Sequence, residues 1–558
     1  MSRKKLRVRG ALAAALVVGP TALCAQGGPG AAGAAPGLAG GRSEVFVGSE
    51  LEGYLRYLQT LGASGPYPWS IRGFSPQEVD RLSPTGGIGP WAERYDLAPG
   101  TASRWDVVRP AATAAYNSRF PYGSNDGAVW AGRGLTTAVR AGVAARWRGV
   151  SLTLAPVAFW AENRPFALQP NGKDGRLAFA DPRYPENVDR PQRFGDRAYA
   201  RLDPGQSTLR VDAHGVAAGA STANEALGPA SVYPFILGPN APGFPHAFLG
   251  TARPVDLWLA RLHARVLYGQ LSQSEYTDIT GRNRLRLASG LVVTLQPRGL
   301  PNLELGAARF YHSAWRPGGP SWADVRKPFQ AFTKSSVGST PDDSGGPDNQ
   351  LASVFFRWVL PRSGFELYSE LGRDDHSYDL RDLVLEPDHA ASVMWGFRKA
   401  WRRPSGAITA LRAEAIDFER PHEYTRRGGG DIYVHGRWRQ GHTQRGQLLG
   451  ADVGVGSAAG MTVAVDHLTR GGRWTAWWAR DLRQEAGQYA FDSTRTSRDM
   501  DVAHTLGLER LLFAGPADIT VGLAGVYELN RAMRADEFNA SFTVGIRTAL
   551  RGLRPAAR

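Results

Sequence analysis

The feature that most constrains this fold is a period-two alternation of apolar and polar side chains near the C-terminus. On an extended strand, residues 538–550 would place an apolar row on one face and a row of polar or small residues on the other. The apolar row consists of Phe538, Ala540, Phe542, Val544, Ile546, Thr548 and Leu550. Residues 518–529 alternate in the same way, after the turn residues Gly515 and Pro516. This pattern predicts long amphipathic strands joined as antiparallel hairpins.

The connections between these strands are of two kinds. Short turns with Gly and Pro, such as 361–364, alternate with long polar stretches such as 164–195 and 316–349. Short turns on one rim and long loops on the other are typical of outer-membrane barrels. A soluble β-sandwich gives the same alternation, but strands of about 10 residues with aromatics near their ends favour a membrane barrel. We predict an all-β fold, a transmembrane antiparallel β-barrel of about 18 strands, over residues 111–558.

The N-terminus has the pattern of a secretory signal peptide. A basic stretch precedes the apolar run 11–18, and a cut after Ala25 fits a signal peptidase site. That run is too short to span a bilayer, which needs about 20 residues; a retained anchor is the alternative. We predict a signal peptide at residues 1–25. The only cysteine, Cys24, lies inside it, so the mature chain would have no disulfide and no thiolate site.

Residues 26–110 are predicted to form a flexible leader followed by a small periplasmic helical segment. Leu51, Tyr54, Leu55 and Leu58 recur at three- and four-residue spacing, which indicates one amphipathic helix. A second helix is expected from Ser75, whose side chain can form a capping box with Glu78. Two short helices cannot form a core alone. We therefore expect them to pack on the barrel, where they could cover its periplasmic end.

The net charge of +15 comes mostly from arginine and has two interpretations. An electropositive lumen would attract an anionic polymer. A GC-rich genome, which encodes arginine wherever a cation is tolerated, explains the same number and is the simpler account. We expect no nucleic-acid partner.

No pattern in the chain predicts catalysis. The sequence contains no Walker A loop, no Gly-x-Ser-x-Gly elbow and no His-Glu-x-x-His motif. A carboxylate pair such as Glu366 and Glu370 could be proposed for a glycoside hydrolase, but a chain with 51 acidic residues offers many such pairs. We predict that the protein is not an enzyme and has no metal and no cofactor.

Two glycine-rich segments, 122–134 and 442–450, combine amide, carboxylate, arginine and aromatic residues. Such segments are often only turns that lead into strands. They are also suited to sugars, which offer hydroxyls to polar groups and C–H faces to aromatic rings. The loop 316–349 and its flank add tryptophan and arginine. The candidate polysaccharide-binding residues are Asn125, Asp126, Trp130, Arg133, Trp315, Arg316, Trp322, His442 and Arg445.

The order and spacing of several segments resemble the Wzi family of outer-membrane capsule assembly proteins. The segments are 54–61, Pro68-Trp69-Ser70-Ile71-Arg72, 74–82, 122–134, 156–163 and 442–450. These segments are short and are spread over the whole mature chain, and they do not form one compact block. The resemblance implies a lumen-filled β-barrel with N-terminal periplasmic helices, which acts as a lectin and tethers capsular polysaccharide, without a cofactor or a reaction. The chain departs from the usual outer-membrane ending, since Leu550 is followed by residues 551–558.

We therefore expect a non-catalytic protein of the bacterial outer membrane that binds capsular or extracellular polysaccharide and holds it at the cell surface. Its other partner would be outer-membrane lipid, and we expect a monomer. The alternative is a porin-like diffusion channel on the same barrel. A surface glycoside hydrolase is a third possibility.

Overall fold

The computed structural model describes most of the mature chain predicted above. The described residues are 45–84, 89–95, 97, 105–277, 285–330, 348–374, 380–385, 390–418, 431–435, 440–485 and 500–548. The predicted signal peptide, the leader as far as residue 44 and the chain end after residue 548 lie outside the described residues.

The helices are short and few in the part of the chain that the structure describes. They are α1 (Glu50–Thr60), α2 (Pro76–Leu82), α3 (Ala92–Tyr95), α4 (Trp322–Arg326) and α5 (Leu380–Leu385). Short 3-10 turns occur at Gly175–Phe179, Lys327–Phe329 and Pro361–Ser363. Over these same residues, no helix has the length and apolar character needed to cross a membrane.

Strands make up most of the described chain. They are β1 (Ile71–Arg72), β2 (Trp105–Asn117), β3 (Gly134–Trp147), β4 (Val150–Leu154), β5 (Val157–Ala161), β6 (Tyr199–Asp203), β7 (Thr208–Ala213), β8 (Val216–Ser221), β9 (Ala226–Leu227), β10 (His246–Thr251), β11 (Val255–Asp256), β12 (Ala260–Ser272), β13 (Leu285–Pro297), β14 (Leu303–Ala314), β15 (Asn349–Leu360), β16 (Phe365–Asp374), β17 (Ala391–Arg402), β18 (Ile408–Asp417), β19 (Thr443–Gln444), β20 (Gln447–Leu448), β21 (Ala459–Thr469), β22 (Gly472–Glu485), β23 (Met500–Ala514), β24 (Ala517–Arg531) and β25 (Ala535–Thr548).

One closed antiparallel barrel contains all of these strands except β1, β9, β19 and β20. Three wall strands are interrupted, and β4 with β5, β6 with β7, and β10 with β11 are their successive halves. The described wall therefore has 18 strands. The barrel closes where β2 pairs with β25, with Ala111 opposite Arg547 and Asn117 opposite Ser541. The predicted fold and strand number are confirmed, and the first wall strand begins at Trp105.

The wall turns its apolar side chains outward. On β25, Phe538 is 56% and Phe542 46% exposed, while Asn539 between them is buried. On β24, Leu523 is exposed while Glu528 is buried on the inner face. A soluble barrel would bury its apolar row and expose its polar row, whereas an outward apolar band suits lipid.

The N-terminal segment lies inside the short-turn end of the barrel, where it contacts the inner wall. Helix α2 begins as predicted: the Ser75 N–H donates to Glu78 Oε2 at 2.8 Å, and the Glu78 N–H donates to Ser75 Oγ at 3.2 Å. Arg56 on α1 donates from Nε to Glu366 Oε1 on β16 at 2.8 Å. The indole N–H of Trp91 donates to the carbonyl oxygen of Thr469, at the short turn between β21 and β22. The segment therefore fills the barrel end instead of lying beneath it.

Two loops on the opposite side fold inward and fill the rest of the lumen. They are the inner loop 222–245, between β8 and β10, and a second inner loop, of which residues 431–435 and 440–458 are described, in the connection between β18 and β21. Phe235 and Tyr433, one from each loop, are buried in one hydrophobic cluster with inward wall residues such as Phe310. The filling of the lumen agrees with what the resemblance implied.

Candidate functional site

A cavity of about 240 Å³ opens at the long-loop end of the barrel, above the inner loops. We call it the mouth cavity. One side is formed by the inner wall at the ends of β22, β23 and β24, and the other by the loops 121–131, 166–192 and 446–452. Its lining residues include Tyr122, Asp126, Trp130, Phe166, Arg190, Gln447, Asp452, Arg483, Asp501, Glu528 and Arg531.

Hydrogen bonds between loops hold the floor of the mouth cavity. The Gly127 N–H donates to the carbonyl oxygen of Pro239 at 2.7 Å. The backbone N–H of Asn125 donates to Asn240 Oδ1 at 3.2 Å, and its side-chain Nδ2 donates to the carbonyl oxygen of Val232 at 3.2 Å. Asn125 has φ of 60°, a left-handed conformation that Asn tolerates better than most residues. The sequence 122–134 therefore folds as a rigid inward loop.

The wall side of the mouth cavity carries charges of both signs. Arg531 Nε lies 3.6 Å from Glu528 Oε2, and Arg483 lies 4.0 Å from Glu528. The Asp501 carboxylate accepts from the Ala532 N–H at 3.2 Å. Within the described residues, Arg531 Nε and Gln447 Oε1 are buried polar atoms that have no hydrogen-bond partner. A hydroxyl-rich ligand could supply those bonds.

Aromatic rings line the cavity beside these charges. The Trp130 ring packs edge-to-face on Phe194, with centroids 5.0 Å apart. The Arg531 guanidinium lies over the ring of Phe120 at 4.4 Å and over that of Phe166 at 5.3 Å. Rigid rings beside hydrogen-bonding groups suit the two kinds of surface that a sugar presents.

Two acidic side chains from different loops, Asp126 and Asp452, line the mouth cavity. Asp126 and Asp452 are both open to the cavity, although protein atoms surround them. Burial raises the pKa of both carboxyls, and the negative charge of Asp452 adds to the rise at Asp126. Arg483 and Arg190 oppose the rise at Asp452. Both carboxyls can therefore hold a proton at mildly acidic pH, when a protonated carboxyl donates as well as accepts.

The structure brings only part of the predicted set into this cavity. Asp126 and Trp130 line it. Asn125 holds the loop, and so does Arg133, which donates to the carbonyl oxygens of Ser118 at 3.3 Å and of Pro165.

The predicted residues of the second segment lie deeper. His442 is fully buried: its Nδ1 is 2.9 Å from His312 Nε2, and its Nε2 is 2.6 Å from the carbonyl oxygen of Ile236. Both ring nitrogens are engaged, so His442 offers no atom to a polymer. Arg445 donates from Nη1 to Asp203 Oδ2 at 3.1 Å and joins the inner loop to the wall.

The predicted residues Trp315, Arg316 and Trp322 lie on a different face. They belong to the connection between β14 and β15, whose residues 315–330 pack on the outside of the barrel wall. Trp322 is 71% exposed there. The structure therefore does not bring these three residues to the mouth cavity.

Sequence reasoning missed the residues that the wall contributes to the cavity. Glu528 offered a signal, because it is an ionisable residue on the inward face of a strand whose alternation was recognised. Asp452 and Arg190 offered none, since their position depends on how two long loops fold. Over the described residues, no group of three or more His, Cys, Asp or Glu could hold a metal ion.

A closed barrel with an apolar outer surface and large aromatic side chains facing lipid defines this chain as a bacterial outer-membrane β-barrel protein. No protein-family model matches the sequence, and no match was found among curated proteins.

Among solved structures, the chain is similar to Wzi of Escherichia coli, a carbohydrate-binding β-barrel of the outer membrane involved in group 1 capsule assembly. The two share 14% identity with a TM-score of 0.57, over 90% of this chain and 99% of Wzi. It also matches OccAB3 of Acinetobacter baumannii (9% identity, TM-score 0.38, over 79% of this chain and 98% of that one). OprD of Pseudomonas aeruginosa matches with 9% identity and a TM-score of 0.35, over 83% of this chain and 96% of that one. The likeness to Wzi shows a shared fold.

Proposed function

We propose that this protein binds a capsular or extracellular polysaccharide at the mouth cavity and holds it at the cell surface without changing it chemically. The observation that carries the proposal is the composition of the cavity lining. In this lining, the aromatic residues Trp130, Phe166 and Tyr122 lie beside the polar residues Asp126, Gln447 and Arg531. The cavity is at the long-loop end, which faces outward in outer-membrane barrels.

The filled lumen supports retention over transport. The two inner loops pack on each other and on the wall through buried side chains, so a polymer that enters the mouth meets a packed floor. Each sugar contact would be weak. One long polymer can engage many copies of the protein, and repeated engagement gives strong attachment. The carbohydrate binding recorded for the similarly folded Wzi agrees with this reading.

A deletion strain tests the proposal in cells. We expect polysaccharide to move from the cell-attached fraction to the medium when the gene is removed, and to return when the wild-type protein is supplied. Trp130→Ala and Arg531→Gln should restore attachment only in part, because they remove a stacking surface and a charged donor from the cavity. The control Trp395→Ala removes an outward tryptophan of the wall and should restore attachment fully.

Folding of each variant is checked by the heat-dependent shift in electrophoretic mobility that intact barrels show. Polymer that stays fully attached in the deletion strain would overturn the proposal and leave the barrel assignment intact.

A conductance measurement separates binding from the channel alternative. In a planar bilayer, we expect the wild-type protein to remain closed to small ions because its lumen is filled. Steady open-channel currents would favour a porin-like role. Release of reducing ends from purified polysaccharide would favour a hydrolase.

A further inference from the structure

The barrel wall is interrupted on its long-loop half. β7 pairs with β8, β8 with β10, and β10 with β12 in the short-turn part of the wall, up to Thr208, Ser221 and His246. Above that level the chain leaves the wall as the inner loop 222–245. Above that level, β6 pairs with β5 alone. Residues 270–272 of β12 pair with β13 alone. The described wall therefore has a notch between β6 and β12.

Atoms of the inner loops close this notch on its lumen side. The N–H of Gln270 donates to the carbonyl oxygen of Pro245 at 2.9 Å, and the N–H of Ser272 donates to Gln444 Oε1 at 2.8 Å. The backbone N–H of Arg445 donates to the carbonyl oxygen of Ser272 at 2.8 Å. The lumen is thus sealed at the notch, and the recess opens only toward the outside.

An apolar groove of about 790 Å³ occupies the recess on the outer surface. A row of directly opposed residues across five strands forms its floor. Leu152 is opposite Leu209, Leu209 is opposite Ala220, Ala220 is opposite Ala247, and Ala247 is opposite Tyr268. Ala220 and Ala247 therefore lie between the larger side chains of Leu209 and Tyr268. This difference in size leaves a trough on the outer face of the wall. Trp315 and Pro320 close its far side.

The segment that closes the groove lies on the outer wall and not over the mouth. We call residues 315–330 the outer flap. Tyr268 Oη donates to the carbonyl oxygen of Val325 at 2.6 Å, and Arg309 donates from Nη1 to that of Gln330 at 2.5 Å. Both side chains point outward, because they alternate with the inward His263 and Phe310. The flap thus covers part of the face that elsewhere meets lipid.

The outer flap has the composition of a lipid–water interface. Trp322 is 71% and Phe329 62% exposed, and rings of this kind prefer the headgroup level. The flap carries Arg316, Arg326 and Lys327 against one carboxylate, Asp324, so its charge is +2. Lys327 is paired with Asp348, and Arg326 is exposed.

We propose that the groove and the outer flap form a binding site for one anionic lipid of the outer leaflet. An acyl chain lies along Ala220 and Ala247, and the phosphate of the headgroup lies against the cationic flap. Three observations select this occupant over a peptide or a second copy. The groove opens sideways from the outer wall, it extends from the last paired residues of β7, β8 and β10 into the long-loop half, and its apolar floor ends at a cationic, aromatic flap. A guanidinium can donate two parallel hydrogen bonds to a phosphate, and the exposed Arg326 is free of steric hindrance for such a contact.

Native mass spectrometry of the full-length protein tests the site. Protein is stripped of lipid in detergent and titrated with hexa-acylated lipid A, which carries two phosphates, and in parallel with phosphatidylethanolamine. We expect one lipid A bound per wild-type chain, with an affinity about tenfold or more above that for phosphatidylethanolamine.

Groove-filling variants give the structural control. Ala220→Trp and Ala247→Trp occupy the trough and should reduce lipid A binding about tenfold, while Ala540→Trp, at an exposed alanine on β25, should leave it unchanged. Arg326→Glu leaves the trough open and should weaken lipid A binding without affecting phosphatidylethanolamine. The Arg326 variant keeps the test valid if the tryptophan variants fail to fold.

Several results would overturn the proposal. They are equal binding of both lipids, loss of binding in Ala540→Trp as in Ala220→Trp, or a mass that shows a dimer broken by Ala220→Trp. None of these outcomes bears on polysaccharide attachment at the mouth cavity, which is a separate site.

Discussion

Glu366 joins the helical segment to the barrel wall through hydrogen bonds from three residues, and Arg56 supplies two of them, from Nε and Nη2. It accepts from Arg56 Nε at 2.8 Å, from Thr60 Oγ1 at 2.8 Å and from Arg357 Nε at 2.9 Å, and all of these groups are buried. Its removal leaves two guanidinium groups in the interior without their carboxylate partner. We expect Glu366→Ala to lower the free energy of unfolding by about 3–5 kcal/mol. Urea unfolding of the protein in lipid vesicles measures this loss.

An exposed ion pair provides the comparison. Arg164 and Glu162 are 2.7 Å apart, with side chains that are 51% and 29% exposed. We expect Arg164→Ala to leave the free energy of unfolding nearly unchanged, because water replaces the partner. If Glu366→Ala and Arg164→Ala lowered the free energy of unfolding equally, the buried contact would anchor α1 no more strongly than an exposed ion pair does.

The paired carboxyls of the mouth cavity make stability depend on pH. Burial raises the pKa of Asp126 to about 7 and that of Asp452 to about 6. In the unfolded chain these groups titrate near 3.9. Between pH 4 and 7 the folded state therefore binds more protons, so these two groups make the protein less stable as pH rises through this window. We expect Asp126→Asn to flatten that part of the profile and to raise stability most at pH 7.

The measurement is the midpoint of thermal unfolding in detergent from pH 4 to 8, followed by tryptophan fluorescence. Asp256→Asn, at an exposed position on the short-turn side, should leave the shape of the profile as it is. A midpoint that falls from pH 4 to 7 by the same amount in the wild type and in Asp126→Asn would contradict the assignment.

At the scale of elements, Tyr433 ties the two inner loops together. Its hydroxyl donates to the carbonyl oxygen of Phe235 at 2.5 Å and accepts from the Ala451 N–H at 3.2 Å. Its ring stacks on Phe235 and on His442. We expect Tyr433→Ala to lower the free energy of unfolding by about 3–5 kcal/mol and to loosen the floor of the mouth. Ion current through single molecules in a planar bilayer should increase.

The matched control is Tyr527→Ala, which removes an outward, 46% exposed tyrosine from β24. It should leave the ion current at the wild-type level. A Tyr433→Ala variant that is folded and still closed would show that other contacts seal the lumen.

How far the sequence predicts an element depends on how local its determinants are. The capping box of Ser75 and Glu78 and the alternation of residues 538–548 are local, and both match the structure. The paths of the inner loops are not local. His442 is predicted to bind polysaccharide because its segment is polar and glycine-rich, yet its partners are His312 and Ile236, far away in sequence. The tryptophan and arginine residues of the outer flap are predicted to bind the same polymer, although Tyr268 holds the flap on the outer wall.

At the scale of the whole molecule, the free-energy cost of placing a charge on the outer wall depends on how deep in the lipid that charge lies. Leu523 lies near the middle of β24 and is 59% exposed on the outer face. We expect Leu523→Arg to lower the free energy of unfolding by about 2–4 kcal/mol, because the charge must enter the hydrocarbon band. Urea unfolding in phosphatidylcholine vesicles gives the value.

A second position tests the dependence on depth. Leu512 also faces outward but lies close to the short-turn rim, on β23. Leu512→Arg should cost only about 0–1 kcal/mol, since arginine there reaches the interface. If the two substitutions cost the same, the apolar band of the wall would not be centred where the strands place it.

The pairing of β2 with β25 has a consequence for biogenesis. Asn117 and Ser541 are direct neighbours in the sheet although more than 400 residues separate them along the chain. Until that seam forms, the nascent cylinder has two unpaired strand edges, and such edges recruit other chains. We therefore expect that a chain lacking β25 cannot close its barrel and, with its strand edges unpaired, aggregates.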